Sequence, residues 1–124
     1  MTKDELRERL TSFSVRIVKM VDAMPQRLSC IAIAKQIVRS GTSPSANYRA
    51  ACLAKSDKDF VNKLKMVEEE LDETNHWLEM IIRCGMLPSS KMDDLYRESQ
   101  ELLNIISKAI ITMKAKIKAN ENSK

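Results

Sequence analysis

Residues 56–85 read SDKDFVNKLKMVEEELDETNHWLEMIIRCG, and this stretch decides the fold. Phe60, Leu64, Val67, Leu71, Thr74, Leu78 and Ile81 recur at alternating spacings of four and three. That spacing keeps one seam on one side of an α-helix. Ser56 stands where an N-cap should, with Asp59 at the capping-box position. Cys84-Gly85 closes the segment, because glycine takes the left-handed conformation that ends a helix at little cost. Such a helix spans about 42 Å at 1.5 Å per residue.

The same period runs outward in both directions. Upstream, Thr2 and Glu5 form a second helix start. Leu6, Leu10, Phe13, Ile17, Met20 or Val21, and Met24 follow at helical spacing until Pro25 stops the pattern. Downstream of Pro88, Ser89 or Ser90 is the expected cap. Met92, Leu95, Leu102, Ile106, Ala109 or Ile110, Met113 and Ile117 form the stripe of that helix. Its acids (Asp93, Asp94, Glu98, Glu101) lie early and its lysines (Lys108, Lys114, Lys116, Lys118) late, as the helix dipole favours. Residues 120–124 read as a frayed, disordered tail.

The remaining segment begins near Leu28 or Ser29, with Ile33, Ala34, Ile37 and Val38 expected on the buried side. Its middle, Arg39-Ser-Gly-Thr-Ser-Pro-Ser-Ala-Asn-Tyr48, has two readings. Gly41 and Pro44 argue for a break with Ser43 as a new cap, whereas the apolar pattern resumes through Tyr48, Ala51 and Cys52 as one kinked helix would require.

Short connections between four such helices force antiparallel neighbours, so the expected architecture is all-α. It is an up-down-up-down antiparallel four-helix bundle in one domain, residues 1–119. Composition agrees. Two glycines, three prolines and 4% aromatics among 124 residues leave little with which to build turns and strands.

Off the main seams lie further apolar residues: Met66, Trp77, Met80 and Ile82 on the third helix, Leu103, Ile105 and Ile111 on the fourth. A monomer needs one stripe per helix, so Trp77 and Leu103 are the expected oligomer contacts.

No apolar run reaches the ~20 residues that cross a bilayer. The N-terminus opens directly into an amphipathic pattern, and Cys30, Cys52 and Cys84 are scattered among apolar neighbours. The expectation is a cytoplasmic protein with buried thiols and no membrane association. Charge is uneven. Residues 1–66 hold 13 Lys/Arg against 6 Asp/Glu, a net +7, and residues 67–124 hold 8 against 11, a net −3. The basic half permits an anionic partner.

Enzyme signatures are scarce. The single histidine, His76, sits in an acidic helix, and no glycine-rich phosphate loop exists. Glu73-Thr-Asn-His76 has the Glu-x-x-His spacing of di-iron bundles, but such a site requires the motif twice. No enzyme activity, metal or cofactor is expected. The acids Glu68, Glu69, Glu70, Asp72 and Glu73 should mostly face solvent. Glu73 or Glu70, beside the seam residue Thr74, could instead lie at a helix contact, and Arg39 is the expected partner of a buried ion pair.

The run Gln36-Ile-Val-Arg39-Ser-Gly-Thr-Ser43, with Ala46-Asn47, Ser56…Asp59-Phe60, Glu69…Glu73-Thr74 and Phe13…Arg16-Ile-Val-Lys19, resembles the four-helix-bundle proteins related to the 23S rRNA intervening-sequence protein. The resemblance spans roughly residues 10–118. It implies a ring-like homopentamer, and helix or near-helix through Gly41–Pro44. It also implies a structural polar core of Gln36, Arg39, Ser43, Asn47 and Glu73. The chain departs at Tyr48-Arg49-Ala50-Ala51, where many members carry Ile-Ala-Glu-Gly, so no role of that acidic position is carried over. A similar protein, the accessory variability determinant of diversity-generating retroelements, looks like a basic pentamer that binds nucleic acid and a reverse transcriptase. The resulting expectation is a scaffold that binds RNA, or a protein–RNA complex, through Arg16, Lys19, Lys35, Arg49, Lys55, Lys58 and Lys63. The alternative is a purely structural or protein-interaction oligomer without a nucleic-acid ligand.

Overall fold

The computed structural model describes residues 1–123. Four helices follow one another: α1 (Lys3–Asp22), α2 (Leu28–Cys52), α3 (Asp57–Arg83) and α4 (Ser89–Asn122). α1 packs on α2, α2 on α3 and α3 on α4, while the α1–α4 seam is the loosest of the four. With connections this short, each helix reverses the last, and the described residues form the expected all-α up-down-up-down bundle.

The caps explain the boundaries. Thr2 Oγ1 accepts the Glu5 N–H at 3.1 Å, and Ser56 Oγ accepts the Asp59 N–H at 3.1 Å. After α3, Gly85 sits at φ 65°, the left-handed position that spares any other residue the strain. α4 departs from expectation. Neither Ser89 nor Ser90 caps it; Pro88 occupies the N-cap, and no side chain bonds to the first-turn N–H groups. The ring of Pro88 fixes φ near the required value, so the helix starts before the serines can serve.

Leu6, Leu10, Phe13, Ile17, Met20 and Met24 are all buried on α1. On α3 the seam from Leu64 to Ile81 is buried as read, but at its start Val61 points inward and Phe60 is half-buried. α2 is one continuous helix, and its buried face is made by Cys30, Ile37, Ser40, Gly41, Pro44, Tyr48 and Ala51. Small residues dominate because α1 and α3 approach closely there. Ser14 Oγ donates to the Gly41 carbonyl at 2.9 Å and lies 2.9 Å from Ser45 Oγ; on the other side Thr74 Oγ1 lies 3.0 Å from Ser40 Oγ. Pro44 has no N–H for the carbonyl one turn earlier, and its ring is accommodated inside the helix.

Two further expectations are corrected. Residues 120–122 continue α4 instead of fraying, because Lys58 Nζ meets Glu121 at 3.2 Å and Lys116 Nζ meets Asp57 at 3.8 Å. These pairs hold the last turns against the start of α3. Lys124 lies outside the described residues. Of the cysteines only Cys30 is buried; Cys52 is half-buried and Cys84, at the end of α3, is exposed.

Ser99 is fully buried on the core face of α4, and its hydroxyl has no hydrogen-bond partner among the described residues. An unpaired buried hydroxyl costs about 1–3 kcal/mol of desolvation. Ser99→Ala is therefore expected to be neutral or to stabilise by up to about 1 kcal/mol, aided by alanine's helix propensity. Urea denaturation checks this. A clear loss of stability would mean that the hydroxyl has a partner.

Candidate nucleic-acid interface

The ion pairs that hold the end of α4 also build a cationic end of the bundle. The α2–α3 turn brings Lys55 and Lys58 beside the N-terminal turn of α1 and the C-terminal turns of α4. A depression of about 310 Å³ is lined there by Lys3, Lys55 and Lys116, with Phe60 and Met113 beneath and Asp57 as its carboxylate. Lys3 Nζ stands 4.6 Å from the Phe60 ring centroid, where the aromatic face attracts it. Lys63, one turn into α3, bonds Asp59 at 2.9 Å. That bond holds the Asp59 carboxyl below its ordinary range, a shift that burial opposes.

Lysines at this end differ in availability. Lys58, Lys63 and Lys116 are in ion pairs, whereas Lys3 and Lys55 make none among the described residues. Sequence reasoning missed Lys3 and Lys116, the second of which it expects only to complement the helix dipole. The charge asymmetry of α4 was visible, but no local signal shows that α4 ends beside Lys55.

Of the other expected nucleic-acid residues, Arg49 stands at the same end, in the last turn of α2, whereas Arg16, Lys19 and Lys35 do not join this patch. Arg16 pairs with Asp94 at 2.6 Å across the α1–α4 seam. Lys19 lies near the opposite end of the bundle, in a groove with Lys91. Lys35 and Arg49 are exposed on α2 and make no ion pair among the described residues.

The expected polar core is corrected. Gln36 and Arg39 are exposed, and Ser43, Asn47 and Glu73 are half-buried. These four α2 residues follow one another at helical spacing along the edge of α2 that faces α3, where water still reaches them. Asn47 Nδ2 donates to Ser43 Oγ at 2.9 Å. Arg39 does meet its expected partners: one guanidinium nitrogen bonds Glu70 at 3.1 Å and another bonds Glu73. Glu73 also accepts from Trp77 Nε1 at 3.0 Å. Half of the Arg39 side chain remains exposed, so this pair is not buried. Coupling between Arg39 and Glu73 is therefore expected near 1 kcal/mol or below, and removing either residue should cost less than the ~3–5 kcal/mol that breaking a buried pair costs. An Arg39→Ala, Glu73→Ala double-mutant cycle measures it. Coupling above about 2 kcal/mol would mean that an assembly contact covers the pair.

Trp77 and Leu103, the expected oligomer contacts, are both half-buried against the bundle core. Wide stripes on α3 and α4 absorb them. The large apolar residues left in water are others, notably Val15, Val18, Leu28 and Ile31 on α1 and α2, Met66 on α3 and Ile111 on α4.

Among the described residues no three His, Cys, Asp or Glu side chains gather as a metal site requires. No helix among them is long and apolar enough to cross a membrane. Tyr48 is pushed up to about 12, chiefly by burial and then by the neighbouring Cys52, so its hydroxyl stays protonated.

The fold is that of a four-helix-bundle protein. The chain belongs to the 23S rRNA-intervening sequence protein family, whose sequence pattern matches residues 3–108. It is similar to a crystal structure from Bacteroides thetaiotaomicron, described as a protein of unknown function from the S23 ribosomal protein family. The two share 33% identity with a TM-score of 0.81, over 89% of this chain and 98% of that one. No curated protein matches the chain.

Proposed function

We propose that this protein is a non-enzymatic, cytoplasmic helical scaffold that assembles into a ring of five copies. In this reading it engages RNA, or a protein–RNA complex, through the lysine-rich end of each bundle. The observation that carries the reading is that end. Lys3, Lys55 and Lys116 line one depression where α1 starts, α3 starts and α4 finishes, Lys58 lines the next, and Lys3 and Lys55 are in no ion pair among the described residues. Backbone phosphates are the anions such a cluster suits, since they are recognised by charge more than by shape.

Self-association is supported by the flanks. Val15 and Val18 on α1 are 47% and 40% exposed, and Leu28 and Ile31 on α2 are 89% and 41% exposed. Contacts made there would leave the bundle ends free, so a ring would repeat the lysine cluster on one of its faces. A reverse transcriptase or another RNA-bound protein is the corresponding class of protein partner.

Light scattering is expected to give about five times 14.2 kDa at micromolar concentration. Val18→Glu together with Ile31→Glu should shift the mass toward the monomer. A monomeric wild-type protein would rule out the ring. A pentamer that fails to retard structured RNA at low salt would leave the purely structural oligomer as the function.

A further inference from the structure

A second groove lies at the other end of the molecule, between the last turns of α1 and the first turns of α4. Its volume is about 360 Å³, within the range of small-molecule pockets. Met20, Ala23, Leu87, Met92 and Leu95 line it, and the charged groups among its lining residues are Arg16, Lys19 and Lys91, all cations.

The seam above this groove explains why those cations matter. α1 and α4 are antiparallel and loosely packed, and charge closes them: Arg9 bonds Glu98 at 2.6 Å and Glu101 at 2.9 Å, and Arg16 bonds Asp94 at 2.6 Å. Lys19 is one turn beyond Arg16, and Lys91 is one turn before Asp94. The register set by the Arg16–Asp94 pair therefore places Lys19 opposite Lys91. The ladder changes from opposite charges to like charges where the apolar floor opens. Neither lysine is in an ion pair among the described residues, and α4 starts there without a side-chain cap, adding partial positive charge beside Lys91.

Two facing cations over an aliphatic floor repel each other unless an anion lies between them. We propose that this groove binds a small anionic amphiphile, an alkyl carboxylate or alkyl phosphate. Its head bridges Lys19 and Lys91, and its chain lies on Met20, Met92 and Leu95. The floor has no aromatic ring on which a base could stack, which separates this site from the RNA-binding reading. Its limited volume fits one short chain better than a docked helix.

Methionine methyl groups report on the site directly. The assembled protein labelled at its methionine methyls is titrated with decanoate, with decanol as the uncharged control and hexaglutamate as an acidic peptide control. Decanoate should shift Met20 and Met92 saturably and leave Met66 and Met113, which lie outside the groove, unmoved. Decanol should bind at least about tenfold more weakly, and Lys19→Gln with Lys91→Gln should cost decanoate a similar factor. Lys19→Arg with Lys91→Arg should retain binding. Equal binding of decanol, an unchanged affinity in the glutamine variant, or equal shifts at Met113 would overturn the proposal. So would hexaglutamate shifting Met20 and Met92 when decanoate does not, which would make the groove a peptide site. Decyl phosphate and phosphatidylglycerol vesicles separate the sources of the head group. Binding of free decyl phosphate supports a soluble ligand, and shifts with vesicles alone overturn it in favour of a membrane surface.

Discussion

Gly41→Ala is expected to destabilise the bundle by about 1–3 kcal/mol, although alanine is the better helix former by about 1 kcal/mol. A Cβ built at Gly41 would lie 2.7 Å from Ile17 Cγ2 and 3.0 Å from Ile17 Cγ1. Ile17 is fully buried, and a β-branched side chain in a helix has essentially one χ1 rotamer, so it cannot swing away. The strain must then part α1 from α2. Separation stretches the Ser14 hydrogen bond to the Gly41 carbonyl and the Ser14–Ser45 contact, both 2.9 Å, and each such bond is worth about 1 kcal/mol. Overpacking and lost hydrogen bonds therefore outweigh the gain in propensity. Ile17→Ala alone should cost about 2–5 kcal/mol through the cavity it leaves. Combined with Gly41→Ala, the loss should fall clearly below the sum, because the new methyl fills space that Ile17 vacated. Urea unfolding of the four proteins decides the matter. A stabilised Gly41→Ala protein would show that α1 and α2 separate freely.

Gly41 also marks where the sequence was hardest to read. α1, α3 and most of α4 were legible because their inward faces are large aliphatic residues at helical spacing, and nearly all of them are buried. α2 buries Ser40, Gly41 and Pro44, whose fitness for the core comes from small volume and backbone proximity. Hydrophobicity does not encode that, so the local reading left both a break and a kink open, and only family resemblance favoured helix. Ser99 escaped notice for the same reason. The α4 tail was misread because its support, Asp57 and Lys58, lies in a distant part of the chain. Arg39 found Glu70 and Glu73 as expected, yet the pair's exposure depends on how far the α2 edge stands from the neighbouring helix, which spacing does not reveal. Of the surplus apolar positions only Met66 and Ile111 stand exposed, while Trp77 and Leu103 are half-buried against the core and Val15 and Val18, which the stripe count left out, are exposed.

RNA binding, if it runs through the lysine-rich end, should weaken steeply with salt. Each phosphate neutralised on a single strand contributes a log–log slope of about −0.7, so four contacts give a slope near −3. Between about 50 and 300 mM salt the affinity should then fall roughly a hundredfold. Fluorescence anisotropy on the verified oligomer measures the slope. The unpaired lysines should carry most of it, because a lysine already held by a carboxylate must break that pair before meeting a phosphate. Lys3 and Lys55 make no ion pair among the described residues, whereas Arg16 is held by Asp94. Replacing both lysines by glutamine should flatten the slope by about 1.4 and weaken binding to all RNAs alike. Arg16→Gln should leave the slope nearly unchanged. The lysines are exposed, so thermal unfolding should move little in either variant. Equal losses from the Arg16 and lysine variants would place the nucleic acid elsewhere. A change in sequence preference would mean that the lysines read base edges, and the charge-led account would fail.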